Sequence, residues 1–95
     1  MGVTTGSLSG LVTDQGGDPL PGATITAVYE PTDTRYFEVT QANGRYRILN
    51  VRVGGPYAVT AALDGFKSQT KDNLFVKLGE DLVVNFQLQL ATVEE

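Results

Sequence analysis

The amino-acid sequence predicts a small all-β sandwich, and three observations support this prediction. Short runs of β-favouring residues recur at intervals of about ten residues, a spacing typical of sandwich proteins. Clusters of Gly, Pro, Asn and Asp separate these runs and are typical of turns. Residues 82–90 place an apolar side chain at every second position, which fits a strand and would be scattered around a helix.

The composition indicates one globular domain and argues against several classes of function. The chain has 95 residues, of which 41% are hydrophobic, and a net charge of −4, which disfavours nucleic acid and anionic membranes as partners. Cys and His are both absent, so the chain has no disulfide, no thiolate and no imidazole for catalysis or metal binding. The longest apolar runs have three residues, too few to span a membrane.

The first strand is predicted at residues 7–13, with Leu8, Gly10 and Val12 on one face. Gly10 within this strand indicates either a bulge or the close approach of a neighbouring strand. Residues 14–22 are predicted to form a turn, because their glycines tolerate positive φ and their prolines cannot donate to a β ladder.

The further strands are predicted, in chain order, at residues 23–29, 34–40, 45–49, 57–63, 66–71, 74–78 and 82–90. The Asn43-Gly44 step between the third and fourth strands is a strong hairpin signal. A loop is expected at residues 51–56. Tyr36 lies on the face opposite Phe37 and is predicted as the surface aromatic, whereas the other three tyrosines are expected to pack in the core.

Three segments, taken in order, resemble the signatures of carboxypeptidase regulatory-like domains. They are Gly10-Leu-Val-Thr-Asp-Gln-Gly-Gly-Asp-Pro-Leu-Pro-Gly-Ala-Thr-Ile, Gln41-Ala-Asn-Gly-Arg-Tyr-Arg-Ile, and Gly55-Pro-Tyr-Ala-Val-Thr-Ala with Gly65-Phe66. The resemblance covers residues 8–90. It implies a seven-stranded antiparallel Greek-key sandwich of the prealbumin-like (transthyretin-like) type, which is grouped with carbohydrate-binding-like folds.

Two further segments are similar to the copies of this domain that precede the plug of TonB-dependent outer-membrane receptors. These segments are Val51-Arg-Val-Gly-Gly-Pro-Tyr and Leu88-Gln-Leu-Ala-Thr-Val-Glu-Glu. The resemblance implies a location on the periplasmic side of the bacterial outer membrane, with the cell surface as the alternative. Residues 1–6 are expected to be a leader, residues 7–90 the sandwich, and residues 91–95 the start of a linker.

The motif residues themselves are predicted to have an architectural role, because chain reversals need residues that adopt positive φ, lack a Cβ or fix the backbone. The predicted structural turn residues are Gly10, Asp14, Gly17, Pro19, Pro21, Gly22, Asn43, Gly44 and Gly65.

The sequence predicts no catalytic, cofactor or metal site. The paired acids Glu80-Asp81 and Asp14/Asp18 fall in turns, and no His is present to activate a serine. Asp14 and Asp18 could offer oxygens to Ca²⁺, but two acids are few for an ion that takes six to eight ligands, so a solvated turn is favoured. No Lys precedes Lys67, so no Lys–Asn isopeptide cross-link to the last strand is expected.

Three hypotheses for function remain. The first is a non-catalytic spacer or protein-docking domain of a TonB-dependent receptor, with the plug and barrel of its own chain, and a periplasmic protein such as TonB, as partners. The second is a module that binds an oligosaccharide, and the third is a stalk repeat of a secreted protein. Residues 66–71 are predicted as an edge strand open to a partner. The surface-contact candidates are Tyr36, Phe66, Lys67, Gln69 and Lys71.

Overall fold

The computed structural model describes residues 5–91, which form eight strands and no helix, so no helix in this range could cross a membrane. The two sheets pack face to face, which confirms the predicted all-β sandwich. The strands are β1 (Thr5–Thr13), β2 (Thr24–Tyr29), β3 (Thr34–Val39), β4 (Arg45–Arg52), β5 (Gly54–Ala62), β6 (Gln69–Val76), β7 (Asp81–Val83) and β8 (Phe86–Gln87).

Sheet I is built around β1, which pairs antiparallel with β4 on one side and parallel with β7 and β8 on the other. Ser7 lies opposite Asp81 in this parallel register, and Thr13 lies opposite Gln87. We refer to residues 81–91 as the C-terminal strand, because β7 and β8 are two parts of one run interrupted at residues 84 and 85. With these parts counted together, the described chain has seven strands, and sheet I is mixed rather than wholly antiparallel.

Sheet II has the strand order β3-β2-β5-β6, and all of its pairs are antiparallel. It consists of two hairpins laid side by side, with β2 and β5 in the centre and β3 and β6 at the two edges. The β2–β3 hairpin turns at residues 30–33, which is where the sequence predicts a turn. The chain changes sheet between the other consecutive elements, up to β7.

The core lies between the inner faces of the two sheets and follows the predicted alternation in most strands. Tyr57 is fully buried, and burial raises the pKa of its phenol; the neighbouring phenol groups of Tyr36 and Tyr29 add to the effect, and the positive charge of Arg52 opposes it. The buried apolar residues are Leu8, Val12, Leu20, Ala23, Ile25, Ala27, Tyr46, Ile48, Val51, Tyr57, Val59, Ala61, Val76, Val84, Phe86 and Leu88.

The predicted orientation of β3 is wrong. Phe37 is 66% exposed and lies on the outer face, whereas Tyr36 packs against the core with its ring centroid 6.4 Å from that of Tyr57. The cause is Thr40, which follows β3 and is buried at 4% exposure. Side chains alternate between faces along a strand, so an inward Thr40 places Tyr36 inward and Phe37 outward.

Three predicted strand bounds also differ from the structure. The expected loop at residues 51–56 is mostly strand, since β4 ends at Arg52 and β5 begins at Gly54. Two predicted short strands at 66–71 and 74–78 are one strand, β6, which contains Asn73 at a φ of 56° and a register shift against β5. β1 begins at Thr5, inside the expected leader, while residues 1–4 and 92–95 of the expected leader and linker lie outside the described range.

The Asn43-Gly44 turn does not close a hairpin, because β3 and β4 belong to different sheets. Its glycine instead touches the turn that follows β1. Gly44 has a φ of 78°, and an added Cβ would lie 2.7 Å from the Pro19 Cβ and 2.8 Å from the Val12 carbonyl oxygen. The Gly44 carbonyl also accepts a 2.9 Å hydrogen bond from the Val12 amide. The first two sequence signatures therefore pack directly against each other.

Thr40 joins the same two segments by hydrogen bonds. Its hydroxyl donates to the Leu20 carbonyl at 2.6 Å and accepts from the Ala23 amide at 2.8 Å, and its own amide donates to the Ala23 carbonyl. The Thr40 carbonyl accepts from the Gly22 amide. We call Leu20, Gly22, Ala23, Thr40 and Gly44 the turn junction, since it ties sheet I to sheet II at one end of the sandwich.

We predict that Thr40→Val destabilises the domain by roughly 1–3 kcal/mol, because Val keeps the shape but leaves the Leu20 carbonyl and the Ala23 amide without their partner. Urea unfolding measures this free energy. The matched control is Thr26→Val on the outer face of sheet II, for which we expect a change within about 0.5 kcal/mol. Equal effects at the two positions would contradict the role assigned to the turn junction.

Candidate functional site

The outer face of sheet I carries an open groove of about 610 Å³. It runs over the outward Ser9 and Leu11 of the central strand β1, between side chains of β4 and the C-terminal strand. We call it the outer groove. Its polar and apolar walls include Ser9, Leu11, Arg45, Arg47, Asp81 and Asn85.

Asp81 occupies one end of this face and holds β1 by two hydrogen bonds. The Ser7 hydroxyl donates to its Oδ1 at 2.7 Å, and the Ser9 hydroxyl donates to its Oδ2 at 2.8 Å. The bond from Ser7 is the main cause of a lowered pKa of the Asp81 carboxyl, opposed by slight burial and supported by the Ser9 bond and the positive charge of Arg47. Asp81 is therefore a carboxylate whose two oxygens both bind β1.

Asn85 lies at the point where the C-terminal strand is interrupted. Its Oδ1 accepts a 2.9 Å hydrogen bond from the Leu11 amide of β1. A side-chain oxygen thus takes the place of a backbone acceptor and continues the pairing across the interruption. From the other sheet, the Lys71 ammonium donates a 2.6 Å hydrogen bond to the Asn85 carbonyl.

Gly10 and Tyr46 contact the same interruption of the C-terminal strand from the inner face of sheet I. Gly10 lies opposite Tyr46 in the β1–β4 register, and an added Cβ at Gly10 would overlap the Val84 carbonyl oxygen. The Tyr46 hydroxyl donates a 2.6 Å hydrogen bond to that same oxygen. Burial raises the pKa of the Tyr46 phenol, and the nearby charge of Asp81 adds to the effect. The close approach predicted at Gly10 is confirmed.

These contacts show what the outer groove can do chemically. The side chains of Asp81, Asn85 and Tyr46 are engaged in bonds between strands, and every buried side-chain polar atom in residues 5–91 has a partner. The described residues contain no group of three or more acidic, His or Cys side chains that could hold a metal. The geometry thus fits adhesion between strands better than the binding of a ligand.

A second feature is the free edge of β3. Its outer face exposes Phe37 and Val39, the latter at 51%. The Thr40 amide bonds the Ala23 carbonyl, so in an antiparallel pair the backbone groups of residues 35, 37 and 39 point away from β2. The Glu38 carboxylate accepts from the Val39 amide at 3.0 Å and covers one of them.

Four of the predicted turn glycines have positive φ, whereas Gly10, predicted among the turn residues, lies within β1, where its missing Cβ admits Val84. Gly17, Gly22, Gly44 and Gly65 all have φ between 78° and 90°. Asp14 accepts hydrogen bonds from the Gly16 and Asp18 amides at 2.8 and 3.0 Å, so its carboxylate closes the turn. Pro19 forms a β-bridge to Thr13.

The predicted surface-contact residues do not form one site. Tyr36 is half-buried and its hydroxyl accepts from the Arg52 amide at 3.1 Å. The strand edge expected at residues 66–71 is closed at its start, because Phe66 bridges to Leu90 and the Lys67 amide donates to the Gln89 carbonyl. Gln69 pairs with β5, while Lys71 reaches the C-terminal strand. A role of these residues in partner contacts remains a prediction.

Sequence reasoning did not find Asp81 or Asn85 as functional partners of β1. The only available signal was that Ser7 and Ser9 share the outward face of the first strand, which places two hydroxyls side by side without naming an acceptor. The acceptor comes from a residue about seventy positions away, which no local pattern reveals.

We predict that Gly10→Ala lowers the free energy of unfolding by about 3 kcal/mol or more, since the methyl group would force Val84 and Tyr46 out of place. Thermal and urea unfolding measure the loss. Gly16→Ala is the matched control, because Gly16 is exposed and the nearest atom to an added Cβ lies 3.4 Å away. A Gly10→Ala protein as stable as the Gly16→Ala protein would refute the close packing of Gly10 against Val84.

We predict that the stability contributed by Asp81 is lost in acid. The folded-state pKa of Asp81 is lowered, so its contribution is complete above the unfolded pKa of about 3.9 and disappears as pH falls through the folded value. Urea unfolding of the native protein and of Asp81→Asn between neutral pH and about pH 3 measures the difference in stability. The difference should be widest at neutral pH and shrink in acid, and a difference independent of pH would contradict the prediction.

Comparisons with known proteins agree with this architecture. The sequence profile of the family described as "carboxypeptidase regulatory-like domain" matches residues 7–89. No curated protein matches the chain.

Solved structures share the fold at low identity. The Bacillus anthracis TIE protein has a TM-score of 0.76 and 22% identity, covering 93% of this chain and 17% of its own. Hydroxyquinol 1,2-dioxygenase from Pseudomonas putida DLL-E4 has a TM-score of 0.74 and 9% identity, covering 96% of this chain and 58% of its own. The chain thus spans less than two thirds of these proteins, and the likeness concerns the fold alone. Since the family profile covers most of its length, the chain belongs to the carboxypeptidase regulatory-like domain family, as an accessory β-sandwich domain.

Proposed function

We propose that this domain is a non-catalytic spacer in the periplasmic N-terminal extension of a TonB-dependent outer-membrane receptor. The family assignment supports an accessory domain, and the resemblance of residues 51–57 and 88–95 to receptor-linked copies supports the receptor. The partner in this role is the remainder of the same chain, its plug and barrel.

The observation that carries the spacer role is the parallel pairing of the first and last strands. Parallel neighbours run in the same direction, so the chain enters the sandwich at one end and leaves it at the other. Thr5 lies two residues before Ser7, which is level with Asp81, so the distance along the strands from Thr5 to Ala91 is about 40 Å at roughly 3.3 Å per residue. A domain of this shape holds the chain segments at its two ends a fixed distance apart.

Catalysis is not part of the proposal. The fold is shared with dioxygenases, but a shared fold does not transfer chemistry, and this sequence has neither His nor Cys. An oligosaccharide site is also less well supported, because sugar-binding faces present exposed aromatic rings, whereas the aromatic ring beside the outer groove, Tyr46, is 2% exposed.

A second candidate function is docking of a periplasmic protein such as TonB by strand addition. The free edge of β3 favours it, because outward backbone groups flank two exposed apolar side chains, Phe37 and Val39. This proposal places the docking edge at β3 and not at residues 66–71, where the sequence predicted it. The first residues of the 66–71 segment already pair with the C-terminal strand.

We predict that the amide NMR spectrum of the domain is unchanged by a panel of oligosaccharides, as expected of a spacer. The same titration with the periplasmic C-terminal domain of TonB tests docking, and shifts confined to residues 34–39 would support the second candidate. Phe37→Lys should abolish such shifts, whereas Lys67→Glu on the closed edge should leave them unchanged. Shifts around the outer groove with a sugar would contradict the spacer proposal.

The receptor context is tested separately by the coding sequence that flanks the domain. A plug and a β-barrel sequence downstream would support the receptor. Tandem copies of the domain with a surface-sorting signal would instead support a stalk at the cell surface, for which a spacer geometry is equally suitable.

A further inference from the structure

The side-chain contacts of the outer groove have one property in common, which is that they hold the C-terminal strand to sheet I. Those of Asp81 and Asn85 join it directly to β1, and that of Tyr46 joins it to β4. Asp81 bonds Ser7 and Ser9, Asn85 bonds Leu11, and the Val84 carbonyl is enclosed by Gly10 and Tyr46. Backbone bonds alternate with them, from the Ser7 amide to the Glu80 carbonyl and from the Val84 amide to the Ser9 carbonyl. The Leu88 amide continues the series by donating to the Thr13 carbonyl.

The direction of these bonds relative to the chain ends determines how they respond to tension. A force that separates the two chain ends pulls β1 toward one end of the sandwich and the C-terminal strand toward the other. The bonds between the two strands lie across this force, so they are strained together rather than one after another. Forced unfolding is governed by the unfolding rate, so a barrier that requires many bonds to break at once gives a high unfolding force.

We infer that the pairing of β1 with the C-terminal strand is a mechanical clamp, and that this domain bears tension applied between its two ends. The inference rests on the proposed function only for the origin of the tension, which is a neighbouring segment of the same chain. The clamp itself is a property of residues 5–91.

The pairing of β1 within sheet I determines which two strands separate first under tension. β1 is held on its other side by β4 over six paired positions, from Thr5 opposite Arg52 to Leu11 opposite Arg45. The C-terminal strand pairs only with β1 within sheet I, and the Tyr46 hydroxyl gives it one further bond from β4. Tension therefore breaks the junction between these two strands before it extracts β1 from β4.

The three side-chain contributions are spread along this junction. Asp81 acts near its beginning, Tyr46 through Val84 acts at the interruption, and Asn85 acts one residue later. The interruption would otherwise be the weak point, because backbone pairing lapses between β7 and β8. The groups that line the outer groove strengthen the junction where the backbone ladder is incomplete.

Single-molecule force spectroscopy tests the inference by comparing two directions of pulling on the whole chain. One molecule is held by its two ends, and the other by its N-terminus and a cysteine introduced as Lys77→Cys, which is the only thiol because the native chain has none. Lys77 is exposed and its carbonyl would lie 3.0 Å from an added Cβ at Gly6, so Lys77 lies beside the start of β1, at the end of the sandwich where the chain enters. Pulling there peels strands apart sequentially.

We predict an unfolding force roughly twofold higher for end-to-end pulling than for the N-terminus–Lys77 direction, since several bonds rather than one oppose the force at a time. The two proteins should have the same stability in urea, because the Lys77→Cys change is on the surface. Equal unfolding forces in the two directions would overturn the inference.

Variants separate the clamp from general stability. Asp81→Ala and Asn85→Ala should each lower the end-to-end unfolding force, while Thr70→Val, which removes the 2.8 Å Thr60–Thr70 hydroxyl contact between β5 and β6, should leave it unchanged. If Asp81→Ala fails to fold, the pair Ser7→Ala and Ser9→Ala removes the same two bonds from the other side. Forces that follow urea stability alone, regardless of position, would overturn the inference.

The outcome is independent of the receptor context. A strong end-to-end clamp in a domain whose flanking sequence proves to be a stalk would leave the inference standing and reject the receptor. A low end-to-end unfolding force in a domain whose flanking sequence encodes a plug and a barrel would overturn the inference and support the receptor.

Discussion

The parallel pairing of β1 with the C-terminal strand is the constraint on which the rest of this sandwich depends. It completes sheet I, supplies three buried side chains to the core through Val84, Phe86 and Leu88, and sets the direction in which the chain leaves the domain. Because it joins residues more than seventy positions apart, its loop-closure entropy is high, and long-range contacts dominate such a topology. Both halves of the chain are therefore needed before sheet I can form.

The contacts that join sheet I to sheet II at one end of the sandwich are those of the turn junction. Thr40 supplies a hydroxyl that both donates and accepts, and Gly44 supplies a surface without a Cβ against which Pro19 can pack. Two segments that look like separate turn signals in the sequence thus form one packed unit. The family profile covers both of them, and their physical interdependence is a sufficient reason for the two motifs to occur together.

The alternation of buried and exposed side chains within each strand could be predicted from the sequence, because it has a period of two and depends only on neighbouring residues. The pairing of strands could not, since nothing in residues 82–90 indicates that they run parallel to β1. The orientation of β3 was predicted wrongly because Phe37 is more apolar than Tyr36, while the deciding residue, Thr40, is polar and lies beyond the strand. In the outer groove Gly10 carried a readable signal, as its missing Cβ implies a close neighbour, whereas Ser7 and Ser9 showed two outward hydroxyls without an acceptor.

The chemistry of the outer groove follows from its position on the first and last strands. A carboxylate with two bound hydroxyls, an amide that bonds a backbone N–H and a phenol that bonds a carbonyl could each be mistaken for parts of a binding site. Their partners, however, belong to other strands of sheet I, and a ligand would have to displace those bonds before making its own. Polar groups committed in this way add little to recognition but oppose sliding between strands, since each one fixes the register at its own level. In a domain whose ends leave from opposite sides, resistance to sliding is what maintains the distance between them.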